Sequence, residues 1–297
     1  MGNIMPTQPA QTIHWYPGHM VKARRQLSEN LRLIDAVVEV VDARAPAASR
    51  NPDFDDLFHG KTRIVLLNKA DLADPRINAA WTRHYRAAGF FSDAVTATGK
   101  SAARTLSALM ERAAQERVAA MKQKGVTKVI RCMIAGIPNT GKSTLINSAA
   151  GGSRALTGDK PGVTRSRQWV RVSPYLELMD TPGLLWPKLE NQDQARYLAF
   201  IGSINDEIMD AEVLAAALLT ALRTRVPQAL AARYPGVNAD TPEEAMLEAV
   251  AARRGFLLKG GKADTERAAR IVLDEFRAGK IARVSFETPE MTDEALE

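Results

Sequence analysis

Polar and apolar positions fall into two regimes along the chain. The segments Ala36 to Val41, Arg63 to Leu67, Phe90 to Thr96 and Lys128 to Ala135 are short, mostly apolar and bounded by turn residues, the pattern of strands covered on both faces. Between them Pro75 to Ala88 and Ala102 to Lys124 carry helical periodicity, and strand alternating with helix implies a parallel sheet. Thr144 to Ala150 reads as the first turns of a further helix, followed by strands at Gln168 to Val172 and Leu176 to Met179. Ahead of the sheet, about Val21 to Leu33 reads as a helix marked by Lys22, Arg24, Arg25 and Arg32, and the first dozen residues read as disordered. After Pro187 the pattern changes. Gln192 to Gly279 is a succession of amphipathic helices broken at Pro235-Gly236 and Gly260-Gly261, with one more strand expected at Ile281 to Phe286. The predicted architecture is therefore an α/β domain over 1–188 with a mostly parallel sheet, then a smaller all-helical domain over 189–297.

Composition narrows this only a little. The 297 residues suffice for two cores, and 45% hydrophobic with 25% charged residues is the balance of a soluble globular protein. The longest apolar stretch, Val213 to Leu222, is too short to span a membrane, and the N-terminus lacks both a signal-peptide core and an Arg-rich transit pattern. A cytoplasmic location is expected. Cys132, alone and inside a predicted strand, excludes disulfides and Cys-ligated metal and reads as a buried core thiol. A net charge of +6 and a pI near 9.5 fit a polyanionic partner or simply a solvated basic surface. Arg253, Arg254, Lys259, Lys262, Arg267 and Arg270 concentrate charge late in the chain, where it could neutralise phosphates. With 6% aromatic residues there is little scope for base stacking, so nucleic acid would be met by shape and backbone.

Chemistry centres on Gly136-Ile137-Pro138-Asn139-Thr140-Gly141-Lys142-Ser143-Thr144, which fits the phosphate-loop pattern G-x-x-x-x-G-K-S/T between a predicted strand and a predicted helix. Its backbone N–H groups, from Asn139 to Thr144, would cradle phosphates at the helix N-terminus, Lys142 would reach the β and γ phosphates, and the Ser143 hydroxyl would ligate Mg²⁺. Gly99-Lys100-Ser101 fails the same pattern, because Ala94 stands where the first glycine is required. Asp180 in Asp180-Thr181-Pro182-Gly183 ends a predicted strand 38 residues after Lys142, the place for a carboxylate that holds Mg²⁺ through water, with the Gly183 N–H facing the γ-phosphate. Thr164, in the polar loop between, is read as a second Mg²⁺ ligand that senses the γ-phosphate, or as a turn threonine. Asn68-Lys69-Ala70-Asp71 ends another strand. The Asp71 carboxylate can accept two hydrogen bonds from guanine N–H groups where adenine presents an acceptor, so GTP is favoured over ATP. Asn68 would hold that loop, the Lys69 stem would pack over the base, and Thr96-Ala97 would offer a backbone N–H to the guanine oxygen.

These motifs resemble those of translation-factor-class GTPases in rotated order, the guanine loop coming before the phosphate loop. That order is similar to the circularly permuted GTPases. Trp15-Tyr16-Pro17-Gly18-His19-Met20, Asp42-Ala43-Arg44 and Gly136-Ile137-Pro138-Asn139 closely resemble the ribosome biogenesis GTPase A family, over the chain from about Thr12 into the helical region. The resemblance implies a GTP-hydrolysing factor for late assembly of the large (50S) ribosomal subunit in bacteria, with a mitochondrial relative, whose helical domain contacts ribosomal RNA. It also implies that His19 positions the attacking water, and that Asn139 sits where related GTPases hold K⁺. As a residue alone, His19 reads equally as a helix-start histidine. Leu184 follows Gly183 where many GTPases carry a water-orienting glutamine, so slow intrinsic turnover is expected. Three other readings stand beside this one. A GTP-dependent RNA-binding module with little turnover and a mitochondrial large-subunit factor are both compatible with the motifs. A permuted small-subunit factor would carry an OB domain and a Cys/His zinc cluster, which Cys132 alone does not support. The free protein is expected to be monomeric, with no DNA partner.

Overall fold

A computed structural model describes residues 24–25, 27–123, 129–152, 168–186, 191–204 and 209–293. Its centre is β1 (Ala36–Asp42), whose residues are all buried. On one side β1 pairs in parallel with β2 (Thr62–Asn68), from Ala36 opposite Thr62 to Asp42 opposite Asn68; on the other it pairs with β4 (Ile130–Ala135). With β3 (Phe91–Ala94), β5 (Gln168–Ser173) and β6 (Leu176–Asp180) the described strands form a sheet in the order β3-β2-β1-β4-β6-β5. All neighbours are parallel except the β5–β6 hairpin. Because these parallel strands share a direction, the loops after β1, β2, β3, β4 and β6 leave from one edge, and the switch in chain direction between β1 and β4 opens a crevice there.

Alternation along β1 distributes the core. Val38 and Val40 join Ile64, Leu66, Cys132 and Ile134 on the face covered by α3 (Ala102–Gln123) and α4 (Lys142–Ala149), through Leu106, Leu109, Leu145 and Ile146. The opposite face is shared. Val41, Val65 and Leu67 pack under Trp81 and Tyr85 of α2 (Pro75–Ala87), while Val37, Met133 and Met179 join Phe54 and Phe58 of the region of α1 (Asp53–Leu57) and the C-terminal helices. Helix α2 starts where expected because Pro75 occupies its first turn and the Asp74 carboxylate accepts the Arg76 N–H at 2.7 Å. Burial pushes the Cys132 thiol upward, which leaves it an inert core group.

One residue departs from the apolar run expected for β1. Glu39 is buried at 1% exposure and is held by the guanidinium groups of Arg50 and Arg63, at 3.2 Å and 2.6 Å from their Nε atoms. Burial raises its pKa, with the two arginines opposing.

The C-terminal helices are α5 (Gln192–Phe200), α6 (Ala211–Arg225), α7 (Pro227–Arg233), α8 (Met246–Arg254), α9 (Thr265–Arg277) and α10 (Pro289–Asp293). Helix α9 buries Ala268, Ala269, Val272, Leu273 and Phe276 on one face and belongs to the same apolar cluster as Met133 and Met179 of the sheet. The strand expected at Ile281 to Phe286 does not form. This segment instead runs as a strap across loops of the sheet. The Val284 N–H donates to the Leu72 carbonyl at 3.0 Å and the Phe286 N–H to the Arg44 carbonyl at 2.7 Å, so its polar groups are satisfied by loops and not by a strand edge. Val284 and Phe286 are buried with a strand's spacing of two, while Ile281 is buried out of that phase.

Candidate functional site

The phosphate loop runs from the end of β4 into α4, and its sequence dictates its shape. Gly141 has φ +89°, and a Cβ there would stand 2.3 Å from Nδ2 of Asn68, so glycine is required both for the conformation and for the approach of the neighbouring loop. Asn139 also lies in the left-handed region, at φ +60°, and its amide Nδ2 donates to the Gly202 carbonyl at 2.6 Å. Lys142 is buried and its ammonium donates to the Ile137 carbonyl at 2.6 Å. Burial pushes it down to about 8, Asp180 opposing and Lys69 adding to the effect.

Asp180 arrives from β6, two strands from β1, with only 2% exposure, and accepts the Ser143 hydroxyl at 2.8 Å. A hydroxyl and a carboxylate brought together are hard oxygen donors that suit Mg²⁺ completed by phosphate oxygens and water. Among the described residues no cluster of three or more His, Cys, Asp or Glu side chains offers an alternative metal site. Gly183 passes so close to the phosphate loop that a Cβ would stand 2.7 Å from the Pro138 nitrogen. Leu184 is fully inside the core, its N–H donating to the Gly136 carbonyl at 3.2 Å and its carbonyl accepting from Asn51 at 2.9 Å. Its side chain takes no part at the crevice.

The loop after β2 reaches across to the same place. Asn68 donates to the Thr140 carbonyl at 2.7 Å and accepts the Ala97 N–H at 2.9 Å, joining three loops through one amide. That N–H thereby braces the loop after β3 against the guanine loop. Lys69, at φ +60°, donates to the Asn139 carbonyl at 2.6 Å. Asp71 is exposed and accepts the Thr96 hydroxyl at 3.0 Å, leaving its carboxylate at the mouth of the crevice. Asn68, Lys69, Asp71, Thr96 and Ala97 are thus gathered beside Asn139 to Ser143, with Asp180 and Gly183 on the far side. His19 and Thr164 lie outside the described residues.

Three contributors had no role assigned from sequence. Asn51 ties the loop after β1 to Leu184, Gly202 meets Asn139 from the helical region, and Asp42 pairs with Lys69 at 3.0 Å. Only Asp42 carried a readable signal, as an acid closing a buried strand and opening Asp42-Ala43-Arg44.

A loop with guanine-selective chemistry, placed earlier in the chain than the phosphate loop yet beside it in space, defines a circularly permuted P-loop GTPase. Residues 131–241 match the family described as 50S ribosome-binding GTPase. The chain is 44% identical to Ribosome biogenesis GTPase A of Priestia megaterium, across 96% of this chain and 100% of that one, and it belongs to the ribosome biogenesis GTPase A family. It is 32% identical to Mitochondrial ribosome-associated GTPase 1 of Xenopus tropicalis, across 82% and 81% of the two chains. Among solved structures it resembles GNP-bound YlqF from T. maritima with a TM-score of 0.66 and 30% identity, across 91% of this chain and 99% of that one. The protein is a GTPase that binds guanine nucleotide.

Proposed function

We propose that this GTPase is a molecular switch for a late step of large (50S) ribosomal subunit assembly, with hydrolysis stimulated by the ribosomal particle. The observation that carries the switch is the hydrogen bond from Asn139 to the Gly202 carbonyl, which joins the phosphate loop to the helical region without an intervening element. The ribosomal partner is supported by what the relatives are named for. The basic helical region, residues 189–297, would meet ribosomal RNA through its backbone phosphates, and the protein would act in the cytoplasm as a monomer when free. Among the described residues no helix is long and apolar enough to cross a membrane.

Within the site, Lys142 would move from the Ile137 carbonyl to the β and γ phosphates, where a buried ammonium exchanges a neutral acceptor for charged ones. The backbone of Asn139, Thr140, Gly141 and Thr144 would cradle the phosphates, and the Gly183 N–H would meet the γ-phosphate. Ser143 and Thr164 would ligate Mg²⁺, with Asp180 holding it through water. Mg²⁺, when bound, neutralises charge on the β and γ oxygens. Asp71 would select guanine with Asn68, Lys69, Thr96 and Ala97 shaping its pocket. His19 would position the attacking water, and K⁺ beside Asn139 would supply the positive charge that other GTPases take from an arginine. Equal turnover in K⁺ and Na⁺ buffers would reject the cation, and normal particle-stimulated turnover by His19→Ala would reject the histidine.

The deciding experiment is GTP turnover with and without purified large ribosomal subunits, in potassium buffer, with small subunits as control. Selective stimulation by large subunits is the expected result. The burial of Leu184 favours one other reading, a GTP-dependent RNA-binding module with little turnover. GTP-dependent binding to large subunits without turnover would establish that reading.

A further inference from the structure

Asp42 ends β1 with its side chain fully buried, and a carboxylate taken so far from water is costly unless cations and hydrogen bonds surround it. Arg44 supplies one cation and three hydrogen bonds. Two residues further on, its side chain folds back so that Nε lies 2.9 Å from Oδ1 and Nη2 lies 2.7 Å from Oδ2, while its backbone N–H donates to Oδ1 at 3.1 Å. Burial raises the carboxyl, but the charges of Arg44 and Lys69 and the hydrogen bonds from Arg44 outweigh it and hold Asp42 well below the usual carboxylate range.

The second cation on this anion is Lys69. Its ammonium stands 3.0 Å from Oδ2 of Asp42 and donates to the Asn139 carbonyl at 2.6 Å. Two acceptors, one at the end of β1 and one in the loop after β4, therefore fix both ends of its reach. Burial pushes the Lys69 pKa down, Asp42 pulls it back up, and Arg44 and Arg277 push it down again. Without the carboxylate this half-buried ammonium would face the like charges of Arg44 and Arg277 with one neutral carbonyl for a partner. It would then turn to solvent or lose its proton, and its stem would leave the guanine loop.

We propose that Asp42 is a positioning residue for guanine-nucleotide binding, the counter-ion that holds Lys69 across the junction of the guanine and phosphate loops. The proposal rests on the reading of Lys69 as part of the guanine pocket. Arg44 completes the device from the other side: its guanidinium lies 5.1 Å from the Phe276 ring centre and its carbonyl accepts the Phe286 N–H, so the carboxylate's own holder is fixed by α9 and the strap. Asp42 touches no substrate in this scheme and acts only through Lys69.

A double-mutant cycle tests this, using full-length protein and a fluorescent GDP with Mg²⁺. Asp42→Asn keeps the shape and removes the charge, and Lys69→Ala removes its target. Each single change is expected to weaken GDP binding about tenfold or more, and the double variant is expected to bind within about twofold of Lys69→Ala alone. A purely structural role for Asp42 would not produce that coupling. If Asp42→Asn does not fold by circular dichroism and thermal melting, Asp42→Asn with Arg44→Met removes the ion pair as a unit and takes its place in the cycle. Full additivity of the two effects overturns the proposal, as does GDP affinity unchanged by Asp42→Asn while Lys69→Ala weakens it. Unchanged affinity in Lys69→Ala overturns the guanine-pocket reading beneath it, and the proposal falls with it.

Discussion

Asn68 shows how much a single side chain decides. Its amide closes on the Thr140 carbonyl and on the Ala97 N–H, so the guanine and phosphate loops are set against each other by one short, buried group with no room to yield. Gly141→Ala would place a methyl group 2.3 Å from that amide and force an L-residue to φ +89°. We expect nucleotide affinity to fall at least tenfold and the melting temperature to fall by several degrees, since a strained left-handed residue costs about 1 to 2 kcal/mol before the displaced amide is counted. Isothermal titration with GDP and a thermal melt check both. Ser143→Ala is a milder change: it removes one hydroxyl 2.8 Å from Asp180 and leaves the loop's glycines intact. Its expected signature is loss of the Mg²⁺ enhancement of nucleotide affinity with little change in the Mg²⁺-free value. Titration of nucleotide with and without EDTA reads it directly. Both sites were legible in sequence, because a glycine in a phosphate loop and a hydroxyl after its lysine have one chemical use. Asn51 and Gly202 were not, since each contributes through contacts with residues 133 and 63 positions away.

At the scale of elements, the parallel strands and their helices followed from periodicity, because strands buried on both faces and amphipathic helices leave unmistakable patterns. One irregularity and one failed reading have definite reasons. Glu39 broke the apolar run yet belongs to the strand, because Arg50 and Arg63 converge on it from the loop after β1 and from β2. Ile281 to Phe286 alternates as a strand does, but its hydrogen-bond partners are loop carbonyls at Leu72 and Arg44, and sequence carries no mark of which backbone a segment will meet. The strap ends in Glu287, whose carboxylate accepts the N–H groups of Ala47 and Ala48 at 2.9 and 3.1 Å. Burial outweighs those bonds and pushes its pKa up to about 7 from the ordinary 4.5. An acid raised in the folded state contributes its stability in full below about 4.5 and loses it as pH rises through about 7. Thermal melts between pH 4.5 and 7.5 should therefore fall for the natural chain and fall less for Glu287→Gln. The difference would be on the order of 3 kcal/mol, each pKa unit being worth about 1.4. Parallel slopes for the two proteins would mean that Glu287 is ionised in the fold throughout.

At the scale of the whole molecule, the order of motifs has a mechanical consequence. With the guanine loop early and the Asp180 loop late, the chain leaves the nucleotide crevice and enters the helical region directly, and the helical region then returns as a strap over the guanine side. The two are tied at several points. Asn139 of the phosphate loop holds the Gly202 carbonyl, and Arg277 of α9 donates to the carbonyls of Ala199 and Phe200 that close α5 just before it. Arg44 is packed against Phe276, and the Leu72 carbonyl receives Val284. A shift of the phosphate loop must either break the bond at Gly202 or carry the end of α5 with it, because that helix end is pinned by a guanidinium and cannot fray independently. Hydrogen exchange measured with GDP and with a non-hydrolysable GTP analogue should then differ in protection not only at 136–144 but also at the end of α5 and along 281–288. Differences confined to the nucleotide loops would mean that the helical region rides on the GTPase as a fixed body. Any nucleotide-dependent signal to a partner would then depend on the loops themselves.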